Sequence, residues 1–336
     1  MLAYCLFCSP RLIHTDFDVG TLYSFLSRIG KMTMAMSKNF DLEDQPKLFF
    51  TFYGCFAWRV EPIRSCANSL RQGFESGMTN GDTDTAFHFH SALQHIQMGF
   101  VGGDNLQSLL KDIDYYLTVF AEYNNAMVKN FMLIFRETVS ILIDKGEATS
   151  IEEKAVYADA DAKEYGKDKL FQSSLCHKAL RSFWLGHHER CNHYMKDILT
   201  YYTNGSVIEL TSRFYNGLNA LRLMRKSRLS AQNKLYKETM KALKEAEVSS
   251  IADFKNKTLL LKAERSSVDE ARGSDEAYDD AIESARMNRV IHEEGMYVSL
   301  YCIVSYRIAL VQLSILLLHH YRAGMRKGWV SLSQVL

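Results

Sequence analysis

Proline is almost absent from this chain. Only three of the 336 residues are proline, namely Pro10, Pro46 and Pro62. Proline breaks a helix outright, because its ring removes a backbone donor and clashes with the preceding turn. Nothing between residues 63 and 336 therefore forces a helix to stop. The chain is free to be helical almost throughout.

An excess of charge of either sign is also lacking. The 40 basic and 39 acidic side chains leave a formal net charge of +1. Proteins that bind nucleic acids usually carry a strongly basic face, so we expect no nucleic-acid partner. The hydrophobic fraction of 47% is that of a globular chain. Its length suits one elongated body or about two compact domains.

Paired cysteines and targeting signals are missing as well. The seven cysteines are odd in number and scattered, which indicates reduced thiols in an intracellular compartment. Residues 1–9 are apolar, but no basic residue precedes them and no cleavage pattern follows, so we expect no signal peptide. Together these features predict a cytoplasmic protein.

The most apolar stretch, residues 296–318, is interrupted by a charge. Arg307 lies in its middle, where a charged side chain costs about 2.5–3.5 kcal/mol on membrane-insertion scales. We therefore expect a buried or terminal helix in this stretch and no membrane span.

Apolar side chains recur at the spacing that places them on one helical face. Four segments follow the i, i+3, i+4, i+7 pattern: residues 106–120, 127–142, 191–202 and 277–285. This spacing is typical of amphipathic helices, and no strand-like alternation competes with it. The pattern predicts an all-α fold.

Capping pairs and turn residues divide the chain into helices of ordinary length. Asp104 with Gln107, Ser150 with Glu153, and Ser206 with Glu209 have the spacing of helix starts. Turns are expected at Asn80-Gly81, Gly102-Gly103, Gly146, Gly186 and Asn204-Gly205. About a dozen helices in antiparallel hairpins result, and hairpins stacked in sequence make an α-solenoid.

A polar stretch separates two halves of this predicted stack. Residues 144–169 hold almost no large apolar side chains and cannot contribute much core. We predict N-terminal helical repeats at 1–143, a polar connection and hinge at 144–169, and C-terminal tetratricopeptide-like repeats at 170–336.

Three segments resemble the helix-turn-helix unit of tetratricopeptide-type repeats. They are residues 99–117, 183–199 and 263–285, in which a glycine or small residues near a turn accompany a helix with an aromatic side chain. The resemblance implies a TPR-like α-solenoid, whose concave surface would contact other protein domains.

A broader resemblance covers roughly residues 15–294. This region is similar to the helical part of large multidomain signalling proteins, which also contain a Ser/Thr kinase-like domain, a STAND/AAA-type ATPase, a GAF domain and a histidine kinase or cyclase. The matching stretches are 70–86, the Leu-rich helix after Asp104, 131–142, the Trp184-Leu185-Gly186 turn and 277–282. The chain departs from the family after about Met296. The resemblance implies a non-catalytic relay between domains.

Motifs of nucleotide chemistry are absent from the sequence. It contains no Gly-x-x-x-x-Gly-Lys-Ser/Thr loop and none of the Gly-rich, His-Arg-Asp and Asp-Phe-Gly motifs of kinases. We therefore expect no enzyme activity, no catalytic residues, no cofactor and no resident metal.

One cluster of side chains nevertheless has ligands suitable for zinc. His187 and Cys191 are four residues apart and would share a helical face, and Cys176 could approach from the partner helix. The cluster comprises Cys176, His177, His187, His188, Cys191 and His193. We favour polar turn positions for the histidines and a packed Cys191, because structural zinc sites have tighter paired spacing. Cys5 and Cys8 form a CxxC without a second pair.

Two further groups of residues have a structural and a functional interpretation. His88, His90 and His95 lie on one predicted helix, but no His-Glu-x-x-His motif is complete, so packing is favoured over metal binding. A basic run could meet an acidic partner, although a solvated face balanced by the acidic run 269–280 is favoured. The basic run comprises Arg222, Arg225, Lys226, Arg228, Lys234, Lys237, Lys241 and Lys244.

Two hypotheses about function follow. The first is a non-catalytic helical-repeat scaffold that contacts a protein partner, or a neighbouring domain in cis, in a signal-transduction protein. The alternative is a helical sensor module for a small molecule or a metal.

Overall fold

The structure is a computed structural model. It describes residues 19–37, 45–79, 87–123, 125–144, 164–201, 207–226, 230–249, 251–269, 274–290 and 293–306. Every regular element within these ranges is helical, and no strand occurs among them. The prediction of an all-α fold is confirmed.

The helices follow one another with short connections. The first six are α1 (Val19–Ser37), α2 (Gln45–Phe49), α3 (Ile63–Thr79), α4 (Phe87–Val101), α5 (Leu106–Glu122) and α6 (Ala126–Asp144). Between α2 and α3 lie a π-helical turn at Phe50–Gly54 and a 3-10 turn at Ala57–Arg59. The later helices are α7 (Glu164–Trp184), α8 (His188–Tyr201), α9 (Val207–Met224), α10 (Ser230–Ser249), α11 (Ile251–Val268), α12 (Ser274–Met287) and α13 (residues 293–306).

Consecutive helices pair and then stack. The closest partners are α3 with α4, α5 with α6, α7 with α8, α9 with α10, and α11 with α12. Each pair also packs on the next, and helices two apart touch at α4–α6, α7–α9 and α9–α11. This is the arrangement of a helical-repeat fold built from antiparallel hairpins.

The predicted apolar stripes face the core. In α5, Leu109, Ile113 and Phe120 are buried, and the same face also buries Tyr116. In α12, Tyr278 and its small neighbours are buried, as close helix packing requires. One continuous cluster of buried apolar side chains runs through the described helices.

Two predicted turns are seen, and one predicted cap is wrong. Gly103 and Gly186 both have positive φ, 85° and 79°, which favours glycine. The side chain of Asn105, rather than that of Asp104, caps α5 by accepting hydrogen bonds from the Gln107 and Ser108 amides at 3.0 and 3.2 Å. The Asp104 carboxylate instead forms an ion pair with Arg64 on α3, with 3.2 Å between Oδ1 and Nε.

Several predictions fall outside the described residues. These are the caps at Ser150 and Ser206 and the turns at Asn80-Gly81, Gly146 and Asn204-Gly205. Of the predicted connection 144–169, residues 164–169 form the first turns of α7, and residues 145–163 are not described. The division into two sets of repeats stays a prediction.

Early and late helices of the described stack contact each other. Helix α4 packs on α9, and α1 touches α10. The Ile63 amide at the start of α3 donates a 3.0 Å hydrogen bond to the Asp253 carboxylate on α11. Pro62, which precedes α3, has no side-chain acceptor of its own for this amide. The stack is therefore curved enough to bring its early and late helices together.

The apolar stretch 296–318 is described as far as residue 306. That part lies in α13, which buries Met296, Tyr297, Leu300 and Val304. Arg307 and the residues after it are not described. Among the described helices, none combines the length and the apolar run that a membrane crossing needs.

Candidate functional site

A partly open cavity of about 610 Å³ lies among the ends of the stacked helices. We call it the stack cavity. Its walls come from the ends of α4, α5 and α6, from α7, the start of α8 and α9, and from α13. The main apolar side chains on the wall are Phe100, Leu106, Leu142, Phe183, Met296 and Leu300. The volume lies in the range of about 300–1,000 Å³ that is typical of small-molecule sites.

The apolar wall is built from buried side chains near the ends of several helices. Phe100 stands near the end of α4, Phe183 near the end of α7 and Met296 near the start of α13, and all three are buried. The adjacent Trp184 also lines the cavity, and its ring lies 6.1 Å from that of Tyr215 on α9. Helix ends of different hairpins thus meet without filling the space between them.

Three polar side chains interrupt the apolar wall. They are His188 at the start of α8, Arg222 near the end of α9, and Ser299 on α13. No aspartate or glutamate belongs to the cavity wall within the described part of the chain.

The orientation of His188 is fixed by Asn219. His188 Nδ1 lies 3.0 Å from Asn219 Oδ1, and Asn219 Nδ2 donates to the His188 carbonyl at 3.0 Å. Because Oδ1 is an acceptor, Nδ1 carries the hydrogen of this pair. Burial lowers the pKa of His188; the Asn219 bond opposes that shift, while the charges of Arg222 and Lys226 add to it. The imidazole is therefore neutral at pH 7, beside a permanent guanidinium cation.

Two exposed glycines, Gly186 and Gly295, lie on the rim of the cavity. A Cβ atom added to Gly186 or to Gly295 would meet no other atom within 4 Å. Gly186 needs its positive φ of 79° for the turn between α7 and α8. Gly295 has no such need, because it lies in the first turn of α13. A larger side chain at Gly295 would extend into open space.

The cysteine and histidine cluster is not assembled into a metal site. His177 is fully buried, its Nδ1 lies 3.0 Å from Thr138 Oγ1, and its ring lies 4.2 Å from that of Phe135. Burial lowers the pKa of His177 to about 3, with a smaller effect from Arg181. Burial also raises the pKa of Cys191 to about 12.

The other members of that cluster lie apart. Cys176 is buried in α7, whereas His187 and His193 are exposed. No group of three or more His, Cys, Asp or Glu side chains converges on a possible metal position anywhere in the described ranges. Cys5 and Cys8 lie outside the described residues.

The histidines of α4 have separate surroundings. His95 is buried, and its Nδ1 lies 2.9 Å from the Tyr116 hydroxyl. Burial lowers the pKa of His95 to about 4, and Arg71 adds to the effect. His90 is half-buried against Phe50, with 5.6 Å between ring centroids. The side chain of His88 is outside the described set.

The basic run is split between solvent and core. Its α10 members Lys234, Lys237, Lys241 and Lys244 are exposed, as expected for a solvated face. Arg225, which directly follows α9, instead pairs with the fully buried carboxylate of Glu264, with 2.9 Å between Nη2 and Oε2. Glu264 lies outside the acidic run 269–280 that was expected to balance the basic one. Within that run, Asp269 pairs with Arg265 at 2.6 Å. Arg228 is not described.

A buried ion pair in the structure was not predicted from the sequence. Lys257 on α11 and Glu293 on α13 are each 1% exposed, with 2.8 Å between Nζ and Oε1. Asn256 and Tyr297 donate to the same carboxylate at 2.6 and 3.0 Å. The only signal in the sequence is the run of four polar residues, 255–258, between Phe254 and the apolar residues 259–261. Helical periodicity alone does not distinguish such a run from a solvated face.

The comparisons with known proteins find no relative. No protein-family profile matches the chain, and neither curated proteins nor solved structures contain a similar one. The fold and the cavity together define the class, an all-α helical-repeat protein with a partly open cavity.

Proposed function

We propose that the chain is a non-catalytic helical-repeat scaffold in the cytoplasm, which contacts a protein partner or a neighbouring domain in cis within a signal-transduction protein. The stacked antiparallel hairpins support this proposal, because such arrays present extended surfaces to other proteins. The resemblance to helical regions of multidomain signalling proteins supports it as well. The family resemblance and the kind of partner are themselves parts of this proposal.

The outer face of α13 carries the proposal. One side of this helix is buried, but its outer side exposes Val298 and Tyr306 by 40% and 66%. Large apolar side chains exposed on one side of a helix are typical of a surface where another protein element packs. We assign this face to the partner.

A photo-crosslinking experiment tests the assignment. A photoreactive phenylalanine analogue is placed at Tyr306 in the chain as expressed in its native cells, and at Tyr115 on α5 as a matched control. Tyr115 is 54% exposed and lies in a different hairpin. We expect one protein or domain to be crosslinked from position 306, not from position 115, and Val298→Glu to abolish that product.

The result that overturns the proposal is equally specific. Crosslinks from position 306 that join only nearby residues of the same chain would show that α13 is covered internally. Equal products from positions 306 and 115 would show that no particular face binds a partner.

A second candidate function, a small-molecule sensor, is favoured by the stack cavity. Ser299 and Ile303 line this cavity on the same helix whose outer face carries Val298 and Tyr306. A ligand in the cavity would therefore touch the helix that we assign to the partner. Ligand and partner would be coupled if binding of one changes the position of α13.

A further inference from the structure

We propose that two copies of the chain associate through the exposed faces of α10 and α12. The basic face on α10 of each copy lies against the acidic face on α12 of the other, so the two contacts are equivalent by symmetry. The inference goes beyond the proposed function, because its surface is formed by helices other than α13. A second copy is the occupant for which the chain itself carries the complementary charges.

A row of lysines follows the exposed side of α10. Lys234, Lys237, Lys241 and Lys244 repeat at intervals of three and four residues, which places them on one helical face. All four are exposed. Lys234 lies 3.9 Å from Glu238, whereas Lys237, Lys241 and Lys244 form no ion pair with any residue that the structure describes. We call these three side chains the lysine row.

The exposed side of α12 has the opposite charge. Four acidic side chains near its start are exposed and form no ion pair within the described part of the chain. They are Asp275, Glu276, Asp279 and Asp280, which we call the acidic row. The single basic residue of α12, Arg286, is already paired with Glu283 and Glu294. The acidic row therefore has no counter-charge on its own helix.

An exposed methionine lies on the same side of α12. Met287 is 74% exposed, more than any other large apolar side chain in the described ranges. It follows Glu276 and Asp280 at helical spacing, so the three side chains share one face. Burial of Met287 against a second copy would add an apolar contribution to a contact that is otherwise made of charges.

The repeat architecture allows one second copy to pair with both rows. Helix α9 packs on α11, and α10 and α12 are the second helices of these two hairpins. Helices at equivalent positions of stacked repeats run in the same direction. A two-fold axis parallel to α10 and α12 therefore sets the lysine row of each copy against the acidic row of the other. Such a contact is isologous and closes as a dimer.

The spacing of the charges supports this pairing. From Lys237 to Lys244 the lysine row extends about 10 Å along its helix, and from Asp275 to Asp280 the acidic row extends about 7 Å. Contacts between two lysine rows would be repulsive, and a nucleic acid that approached the lysine row would meet the acidic row one hairpin away. A second copy satisfies both rows at once.

The charges also set the strength of the association. Glu238 and Glu245 are exposed beside the lysine row and reduce its charge. Ion pairs between exposed side chains contribute little individually and are screened by salt. We therefore expect a dimer of modest affinity whose stability depends on ionic strength.

Sedimentation equilibrium of the full chain at two salt concentrations tests the association. The screening length falls from about 10 Å at 0.1 M salt to about 3 Å at 1 M salt. We expect a dimer at the lower concentration and a dissociation constant that is roughly tenfold or more higher at the upper one.

Charge reversal tests the pairing of the rows. The basic-reversed variant replaces the lysine row with glutamates and is Lys237→Glu/Lys241→Glu/Lys244→Glu. The acidic-reversed variant replaces three acidic side chains with lysines and is Glu276→Lys/Asp279→Lys/Asp280→Lys. Each variant alone should be monomeric, because like charges then face each other in both contacts. An equimolar mixture should form a heterodimer, because opposite charges again meet in both contacts.

A control variant separates the rows from net charge. It reverses three exposed lysines on other helices and is Lys111→Glu/Lys129→Glu/Lys196→Glu. It has the same net charge as the basic-reversed variant and should still dimerise. All substituted positions are exposed, so each variant should keep its fold, which thermal unfolding establishes.

Three results would overturn the inference. They are a chain that is monomeric at 0.1 M salt, a dimer that the basic-reversed variant retains, and a mixture of the two reversed variants that stays monomeric. A variant that combines all six reversals restores opposite charges within one chain and should dimerise again. If one reversed variant does not fold, this combined variant and the control still decide the question.

Discussion

His95 and His177 are imidazoles held neutral by burial and bonded to the hydroxyl groups of Tyr116 and Thr138. Burial lowers their pKa values from 6.5 to about 4 and about 3. Well above pH 6.5 both are neutral in the folded and unfolded chains. As the pH falls below that value, the unfolded chain takes up protons first, so stability is lost progressively toward the folded-state pKa values.

We therefore expect the free energy of unfolding to fall by about 2 kcal/mol for each of these histidines between pH 7 and pH 5. Urea unfolding at the two pH values measures this loss. The double variant His95→Gln/His177→Gln has no imidazole at either site and should lose correspondingly less on acidification. An identical pH dependence in the variant and the native chain would show that these groups are not buried as neutral imidazoles.

The ion pair of Lys257 and Glu293 allows a measurement of the stability that is lost when one partner of a buried pair is removed. Lys257→Met would leave the Glu293 carboxylate buried with only Asn256 and Tyr297 as donors. We expect a loss of roughly 3–5 kcal/mol in the free energy of unfolding. The double variant Lys257→Met/Glu293→Leu removes both charges and should lose less than the single one.

The residual loss in that double variant has a structural cause. Asn256 Nδ2 and the Tyr297 hydroxyl would no longer have their carboxylate acceptor, so the variant should not regain full stability. Urea unfolding of the native chain and of both variants gives the comparison. If the double variant is as unstable as Lys257→Met, the uncompensated charge is not the source of the loss.

At the scale of helices, α3 depends on an acceptor from a distant helix. The Asp253 carboxylate on α11 accepts from the Ile63 amide across 190 positions of sequence. Asp253→Ala should lower the free energy of unfolding by roughly 1–2 kcal/mol, as lost caps do. Asp253→Asn keeps a side-chain oxygen and should lose less.

Hydrogen exchange distinguishes this cap from a general packing effect. The Ile63 amide should exchange faster in Asp253→Ala than in Asp253→Asn, while amides in the middle of α5 stay protected alike in both. Equal exchange of the Ile63 amide in the two variants would mean that Asp253 does not cap α3.

The existence of the helices could be predicted from local patterns, whereas their caps could not be predicted as reliably. The apolar spacing around Leu109, Ile113 and Phe120 identified α5 and its buried face. The cap of the same helix was assigned to Asp104, but Arg64 on α3 competes for that carboxylate and Asn105 takes its place. A capping side chain has several possible partners, and tertiary contacts decide among them.

For the whole molecule, the contact between early and late helices determines how the stack unfolds. An open array of repeats can lose its ends separately, because each repeat contacts only its neighbours. Here α4 packs on α9, and α11 caps α3. We therefore expect the described stack to unfold in one cooperative transition.

Two tryptophans report the two parts of the stack. Trp58 is buried just before α3, and Trp184 ends α7. In a Trp329→Phe background, the variants Trp58→Phe and Trp184→Phe each leave one of these two fluorophores. The two urea transitions should coincide. A clearly earlier transition of either one would favour two independent sets of repeats, as the predicted division at 144–169 implies.

The sequence by itself determined the helical class of this protein and most of its buried helical faces. Proline scarcity and a 3.6-residue apolar spacing act within a few turns of chain, so they need no knowledge of distant partners. Only the tertiary structure decided the curvature of the stack, the cavity beside Arg222, and the pairing of Lys257 with Glu293. These features join residues 36 to 190 positions apart, and such partners are selected by how whole helices pack.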